Sequence, residues 1–174
     1  PKPFTNPLGK VYGGLASYSR FTPQKATRYA FPGNFGWPKR IFFLDRCFLV
    51  QRFPVESGKE LLVINTHNSA YDDGGLKKKQ MAYMKEFLLA EHEKGNYIIV
   101  GGDWNQCPPN FNVHKFAKEE TPYDQLNIDF DYLPADWLWV YDPDIPTNRK
   151  LAAPFDPEST FTTIIDFYLI SPNV

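Results

Sequence analysis

Four side chains able to bind a cation or handle a proton stand at or near the ends of apolar runs. His67 follows "LLVINT", Asp103 and Asn105 follow or closely trail "YIIVGG", and Asp166 sits inside "TTIIDFYLI". A histidine and two carboxylates can together position and activate a water. Asp and Asn oxygens suit a hard cation such as Mg²⁺. A carboxamide or an imidazole can also donate to a phosphoryl oxygen. Brought together, these groups suit metal-assisted attack of water on a phosphate ester.

Each residue also has a purely structural reading. A strand-end histidine can simply pack. Asp and Asn after Gly-Gly are common turn residues. Asp166, in an apolar run, is costly to bury unless it is paired. Lys77-Lys78-Lys79 reads as a solvated helix face at a helix start, where cations are mildly unfavourable; a phosphate-facing role for one of them is the alternative. Convergence in space separates the two readings, so the elements that carry the four residues decide the matter.

Leu76 to Lys94 is expected to be a helix. Leu76, Met84, Phe87, Leu88 and Glu91 keep roughly helical spacing, and Gly95-Asn96 ends the run. On either side lie the apolar runs Glu60–His67 and Tyr97–Val100. Strands joined by a crossover helix are normally parallel. Both runs are apolar on consecutive residues, which predicts a sheet covered on both faces. Their carboxyl ends then share one edge, where layered α/β proteins tend to hold ligands. If the last strand, Thr162–Ile170, runs antiparallel to them, Asp166 near its start joins His67, Asp103 and Asn105 there.

Elsewhere, Asp45–Val55 pairs with Glu60–His67 as a hairpin with Gly58 in the turn. Gly13–Arg20 reads as a short strand, 21–40 as a long loop, "DDGG" at 72–75 as a loop, and 106–160 as mostly irregular.

The totals set bounds. With 174 residues, 43% hydrophobic and 17% aromatic, the chain suits one packed domain. A formal net charge of −1 argues against a strongly cationic surface for bulk nucleic-acid binding. Two cysteines, Cys47 and Cys107, cannot by themselves make a structural zinc site or establish a disulfide framework. The apolar runs are far short of a membrane span.

"INTHN" at 64–68, "VGGDWNQ" at 100–106 and "IIDFYLIS" at 164–171 resemble, in order and spacing, the endonuclease/exonuclease/phosphatase superfamily (deoxyribonuclease I-like); "GGLASYSRF" at 13–21 is similar to that family's preceding strand. The resemblance implies an α/β (α+β) four-layer sandwich, with two mixed β-sheets packed face to face and helices outside. It implies a Mg²⁺- or Mn²⁺-dependent phosphoester hydrolase acting on nucleic acid, a phosphoinositide or another phosphodiester. By resemblance, His67 contacts the scissile phosphate, and Asp103 orients the attacking water near the metal. Asn105 contacts the phosphate or a metal, and Asp166 orients a catalytic histidine. The paired glycines would let backbone approach substrate, and the prolines after Gln106 would stiffen the loop.

The family pattern also has an early Asn strand and a metal-binding Glu strand before the segment matching 13–21, and an Asp-His pair after the final strand. Residues 1–174 are therefore expected to be one incomplete domain of this kind, with little or no activity alone. The uncovered apolar sheet surface or unpaired strand edge is expected to favour self-association. Two competing readings stand beside this one: a non-catalytic binding or scaffold module that keeps the fold, and an unrelated α/β protein with chance motifs.

Overall fold

The computed structural model describes residues 13–38, 44–70, 74–116, 127–151 and 154–174. Its centre is a six-stranded mixed sheet in the order β1-β2-β3-β4-β8-β5. The strands are β1 (Lys25–Ala30), β2 (Cys47–Pro54), β3 (Glu60–His67), β4 (Tyr97–Asp103), β5 (Leu138–Val140) and β8 (Asp166–Ile170). A separate two-stranded ladder joins β6 (Asn148–Arg149) to β7 (Thr162–Thr163), and one helix, α1 (Gly75–Glu93), links β3 to β4.

The expected hairpin is present. β2 and β3 pair antiparallel from Cys47↔His67 to Pro54↔Glu60. Gly58, at φ 75°, turns the chain between them, a backbone angle that costs glycine nothing. β3 and β4 run parallel with α1 as their crossover, and β8 runs antiparallel to β4. The four central strands are thus arranged as the crossover rule requires.

Alternation sorts the two faces of the sheet. Phe48, Val50, Leu62, Ile64, Ile98, Val100, Phe167 and Leu169 are buried on one face. Against them α1 lays Met81, Met84 and Leu88. Tyr29 of β1 stacks on Phe48 at 5.0 Å between ring centroids, and Phe87 of α1 meets Phe48 at 5.3 Å. Each such side chain contributes about 1.5–3 kcal/mol through burial. At the far end of α1, Glu91 receives Arg52 through Nη1 at 3.0 Å and Nη2 at 2.8 Å, and Asn96 Nδ2 at 2.8 Å. This joins β2, α1 and the turn into β4.

Three expectations are corrected. Gly13–Arg20 is not a strand. The carbonyl of Ala16 accepts the Asn65 side-chain amide at 3.0 Å rather than a ladder partner, and Tyr18 is exposed. The predicted 21–40 loop contains β1, an edge strand whose sequence "KATRYA" shows little apolar alternation. The predicted strand 162–170 is broken into β7 and β8. The amides of Ile165 and Asp166 both donate to Thr147 Oγ1 at 3.0 Å, which diverts the chain between the two ladders. Of the "DDGG" loop, Gly74 precedes the helix at φ 93°, while Asp72 and Asp73 lie outside the described residues.

Candidate active site

The sheet register places three of the four candidate residues in one row. His67 is the partner of Asp103 across β3–β4, and Asp103 is the partner of Asp166 across β4–β8. Side chains directly opposite one another on adjacent strands project to the same face. Here it is the face away from α1, at the edge formed by the carboxyl ends of β3 and β4 and the start of β8. His67 Nε2 lies 3.2 Å from Asp103 Oδ2, with the two side chains 36% and 29% exposed.

The fourth residue reaches the row from the loop beyond β4. Asn105 adopts φ 51°, in the left-handed region where Asn is more at ease than most residues. Its amide donates to Asp103 Oδ1 at 2.9 Å, and its Nδ2 donates to the carbonyl of Asn68 at 2.9 Å. Asn68 is buried and works as a junction. Its amide donates to the carbonyl of Asp103 at 2.9 Å, its Oδ1 accepts Thr66 Oγ1 at 2.7 Å, and its Nδ2 meets Met81 Sδ at 3.2 Å. The loops after β3 and β4 are therefore tied together behind the row.

Trp104 anchors the same turn from inside. It is buried, its ring stacks on Phe167 at 5.4 Å and 5°, and Nε1 donates to the carbonyl of Phe167 at 3.1 Å. Asp103 and Asn105 are thus held either side of a fixed indole. The following prolines belong to a folded loop: Phe111 donates to the carbonyl of Pro108, and Ile128 donates to that of Cys107.

The paired glycines have a different cause from the one expected. A Cβ on Gly102, at φ 144°, would strike the backbone carbonyl of Thr66; one on Gly101 would lie 2.6 Å from the Tyr168 ring. Neighbouring β3 and β8 demand these glycines, and approach to substrate is not needed to explain them.

The electrostatics of the row are strained toward neutrality. Burial pushes the Asp103 carboxyl above its ordinary range, while the Asn105 amide, Arg46 and Lys77 pull it back. Burial and then the negative charge of Asp103 push Asp166 up, against Thr147 and His67. Burial and Arg46 depress the His67 imidazole, opposed by Asp166. Two carboxylates that resist ionising side by side are a setting in which a cation or proton is favoured.

Arg46 and Asn68 were not among the residues singled out from sequence. The register sets Cys47, not Arg46, in line with His67; Arg46, just before β2, acts on His67 and Asp103 through its charge alone. Asn68 closes the "INTHN" motif without having been given a role; it works through its backbone amide and carbonyl and through side-chain contacts to Thr66 and Met81.

No protein-family model matches the sequence, and no curated protein matches it significantly. Solved structures do match. A structure of ANGEL2, described as a 2′,3′-cyclic phosphatase, superposes with a TM-score of 0.51 at 16% identity, over 87% of this chain and 55% of that one. TDP2 from C. elegans gives 0.52 at 12% identity, over 86% and 40%. The mannosyl-6-phosphatase Bt3783 of Bacteroides thetaiotaomicron gives 0.52 at 17% identity, over 87% and 53%. The chain shares their fold and spans about half of their length. The expected resemblance holds at the level of the fold, and chance motifs on an unrelated fold are set aside.

Proposed function

We propose that the His67–Asp103–Asp166 row, with Asn105, is the phosphoester-hydrolysing site of a metal-dependent hydrolase of the endonuclease/exonuclease/phosphatase superfamily, within a domain to which residues 1–174 contribute. The observation that carries this reading is the register: three chemically capable residues from three strands stand side by side at one sheet edge. A structural role for each alone does not call for that alignment, and two adjacent half-buried carboxylates cost stability unless something uses them.

The donor set fits a hard cation in part. Asp103 and Asn105 offer oxygen ligands, and Asp166 adds negative charge beside them. Among the described residues no cluster of three or more His, Cys, Asp or Glu side chains is arranged to enclose a metal ion. Mg²⁺ is commonly bound through one or two carboxylates plus substrate phosphates, and the row matches that sparse pattern. Mg²⁺ or Mn²⁺ bound there would neutralise charge on the phosphoryl group and favour attack by water.

The chain's own residues then have separable tasks. Asp103 is fixed on one oxygen by the Asn105 amide, which orients its carboxylate to hold and deprotonate a water. His67, beside the other oxygen of Asp103, serves as a donor to a phosphoryl oxygen. The second Nδ2 hydrogen and the Oδ1 of Asn105 remain for phosphate or cation, since one hydrogen is committed to Asn68. Asp166 holds charge next to Asp103 and orients a proton-carrying partner.

Nucleic acid, phosphoinositides and other phosphodiesters are all within reach of this chemistry. The names of two structural neighbours, a 2′,3′-cyclic phosphatase and a mannosyl-6-phosphatase, extend the range to cyclic and monoester substrates. The test is hydrolysis of p-nitrophenyl phosphate and bis-p-nitrophenyl phosphate by the intact protein, with Mg²⁺ or Mn²⁺ and with a chelator. Turnover should require the cation. Asp103→Ala should lower kcat by about 10²–10⁴-fold, the usual contribution of a positioned acid or base. Undiminished turnover in that variant, or in chelator, would rule the assignment out and favour a binding module on the same fold.

A further inference from the structure

We propose that Thr147 is a positioning residue of the site: its hydroxyl fixes Asp166 in the His67–Asp103–Asp166 row and ties it to the turn that carries Asp103 and Asn105. The proposal rests on the row being the phosphoester site and adds to it a residue from outside the six-stranded sheet.

Thr147 stands just before β6 and bonds in two directions. Its amide donates to the carbonyl of Thr163 at 2.9 Å, beside the pairs Asn148↔Thr163 and Arg149↔Thr162. At the other end of the ladder the Lys150 amide donates to the carbonyl of Phe161 at 3.0 Å. Backbone bonds thus close β6 on β7 without help from the Thr147 side chain. The hydroxyl is used elsewhere: Oγ1 accepts the amides of Ile165 and Asp166, both at 3.0 Å.

A hydroxyl has two acceptor lone pairs and one hydrogen. Both lone pairs face N–H donors here, so the hydrogen is left to donate. The Asp166 carboxylate is its acceptor, and Thr147 favours the charged form of that group. One oxygen atom therefore holds Asp166 by its backbone and by its side chain. Branching at Cβ leaves threonine few χ1 choices, which keeps the hydroxyl aimed. Asp166 stands opposite Asp103, and two like charges on adjacent strands repel. A carboxylate without such a hold would swing out of the row.

The grip continues into the loop after β4. Ile165, whose amide Thr147 holds, accepts the Trp104 amide on its carbonyl at 2.9 Å. Trp104 lies between Asp103 and Asn105, and its ring stacks on Phe167, the residue after Asp166. Ile165 and Trp104 are both buried. Thr147 thus sets Asp166 against a turn that is itself anchored in the core. Thr147 is exposed, so replacing it removes the hydroxyl with little core packing at stake.

The ¹³C,¹⁵N-labelled 174-residue chain tests the grip through the Hα–Hβ couplings of Asp166 and the solvent exchange of the Ile165 and Asp166 amides. The parent should show one Asp166 rotamer. Thr147→Val keeps the shape and removes the hydroxyl; it should average the couplings and speed exchange of both amides roughly tenfold, what one hydrogen bond contributes. Thr147→Ser should restore both. The α1 amides should stay in place in either variant, which reports an intact fold. In the intact protein with Mg²⁺, Thr147→Val should lower kcat for p-nitrophenyl phosphate roughly tenfold with KM within about twofold, and Thr147→Ser should recover it. A single Asp166 rotamer or an unchanged kcat in Thr147→Val, a Ser variant as impaired as Val, or changes that spread to α1 would overturn the proposal. Full turnover in Asp103→Ala would instead remove the hydrolysis reading beneath it, while the Asp166 couplings would still decide the grip.

Discussion

Asp103 and Asp166 are register partners across the β4–β8 ladder, so two carboxylates project side by side from adjacent strands. Each is pushed above its ordinary range, chiefly by burial, and Asp166 also by Asp103 itself. The folded chain therefore holds protons that the unfolded chain releases at the same pH. Stability falls as pH rises from the ordinary carboxylate range through the raised folded values.

A prediction follows for Asp166→Asn. It removes one of the two like charges and keeps the shape, so the variant should be more stable than the parent at pH 7. The gain should vanish at a pH low enough to protonate the parent's carboxyl. Each kcal/mol recovered raises Tm by about 2–4 °C in a domain of this size. Thermal unfolding of both proteins at neutral and acid pH checks this. A lower Tm for the variant at pH 7 would mean that the carboxylate is a structural partner.

Glu91 carries the opposite sign. Despite burial, hydrogen bonds from Arg52, Lys94 and Asn96 hold its pKa down at about 2. Its contribution is fully present above the ordinary value of 4.5 and is lost as pH falls toward about 2. Glu91→Gln should cost about 1–3 kcal/mol at pH 7, the usual penalty for a compromised charged hydrogen-bond set. It should also flatten the acid limb of the stability profile in that window. Urea unfolding across pH measures both, and a parallel acid limb in the variant would show that another group governs it.

Gly102→Ala should be among the most damaging small substitutions in the chain. The new Cβ meets the Thr66 carbonyl at a φ of 144° that side chains rarely adopt. Relief requires β3 and β4 to separate where they carry His67 and Asp103. A loss of about 1–3 kcal/mol is expected from backbone strain alone, together with displaced His67 and Asp103 amide signals. Unchanged stability and spectrum would show that the ladder gives way without consequence.

The parallel β3–β4 pair was legible because two apolar runs flank a long periodic segment, and a crossover helix leaves little topological choice. The edge shared by His67, Asp103 and Asp166 followed from that pair once the last strand ran antiparallel. What escaped were features decided by single long-range hydrogen bonds. The break between Thr163 and Asp166 is set by Thr147, which lies outside the apolar pattern of "TTIIDFYLI". β1 escaped because an edge strand needs apolar residues on one face only, and its packing rests on Tyr29 and, just past its end, Phe31, both against Phe48. Gly13–Arg20 looked like a strand by composition but has its Ala16 carbonyl engaged by Asn65.

The central claim is that the row His67–Asp103–Asp166, with Asn105, is where a divalent cation and a phosphate ester meet. Paramagnetic broadening by Mn²⁺ in the ¹⁵N-labelled chain tests it most directly, because the effect is local and needs no turnover. With so few carboxylates the cation should bind weakly, but broadening should begin at the amides of His67, Asp103, Asn105 and Asp166. It should disappear there in Asp103→Asn/Asp166→Asn, whose remaining spectrum is unchanged. Broadening that begins elsewhere, or that survives at the row in the double variant, would contradict the account.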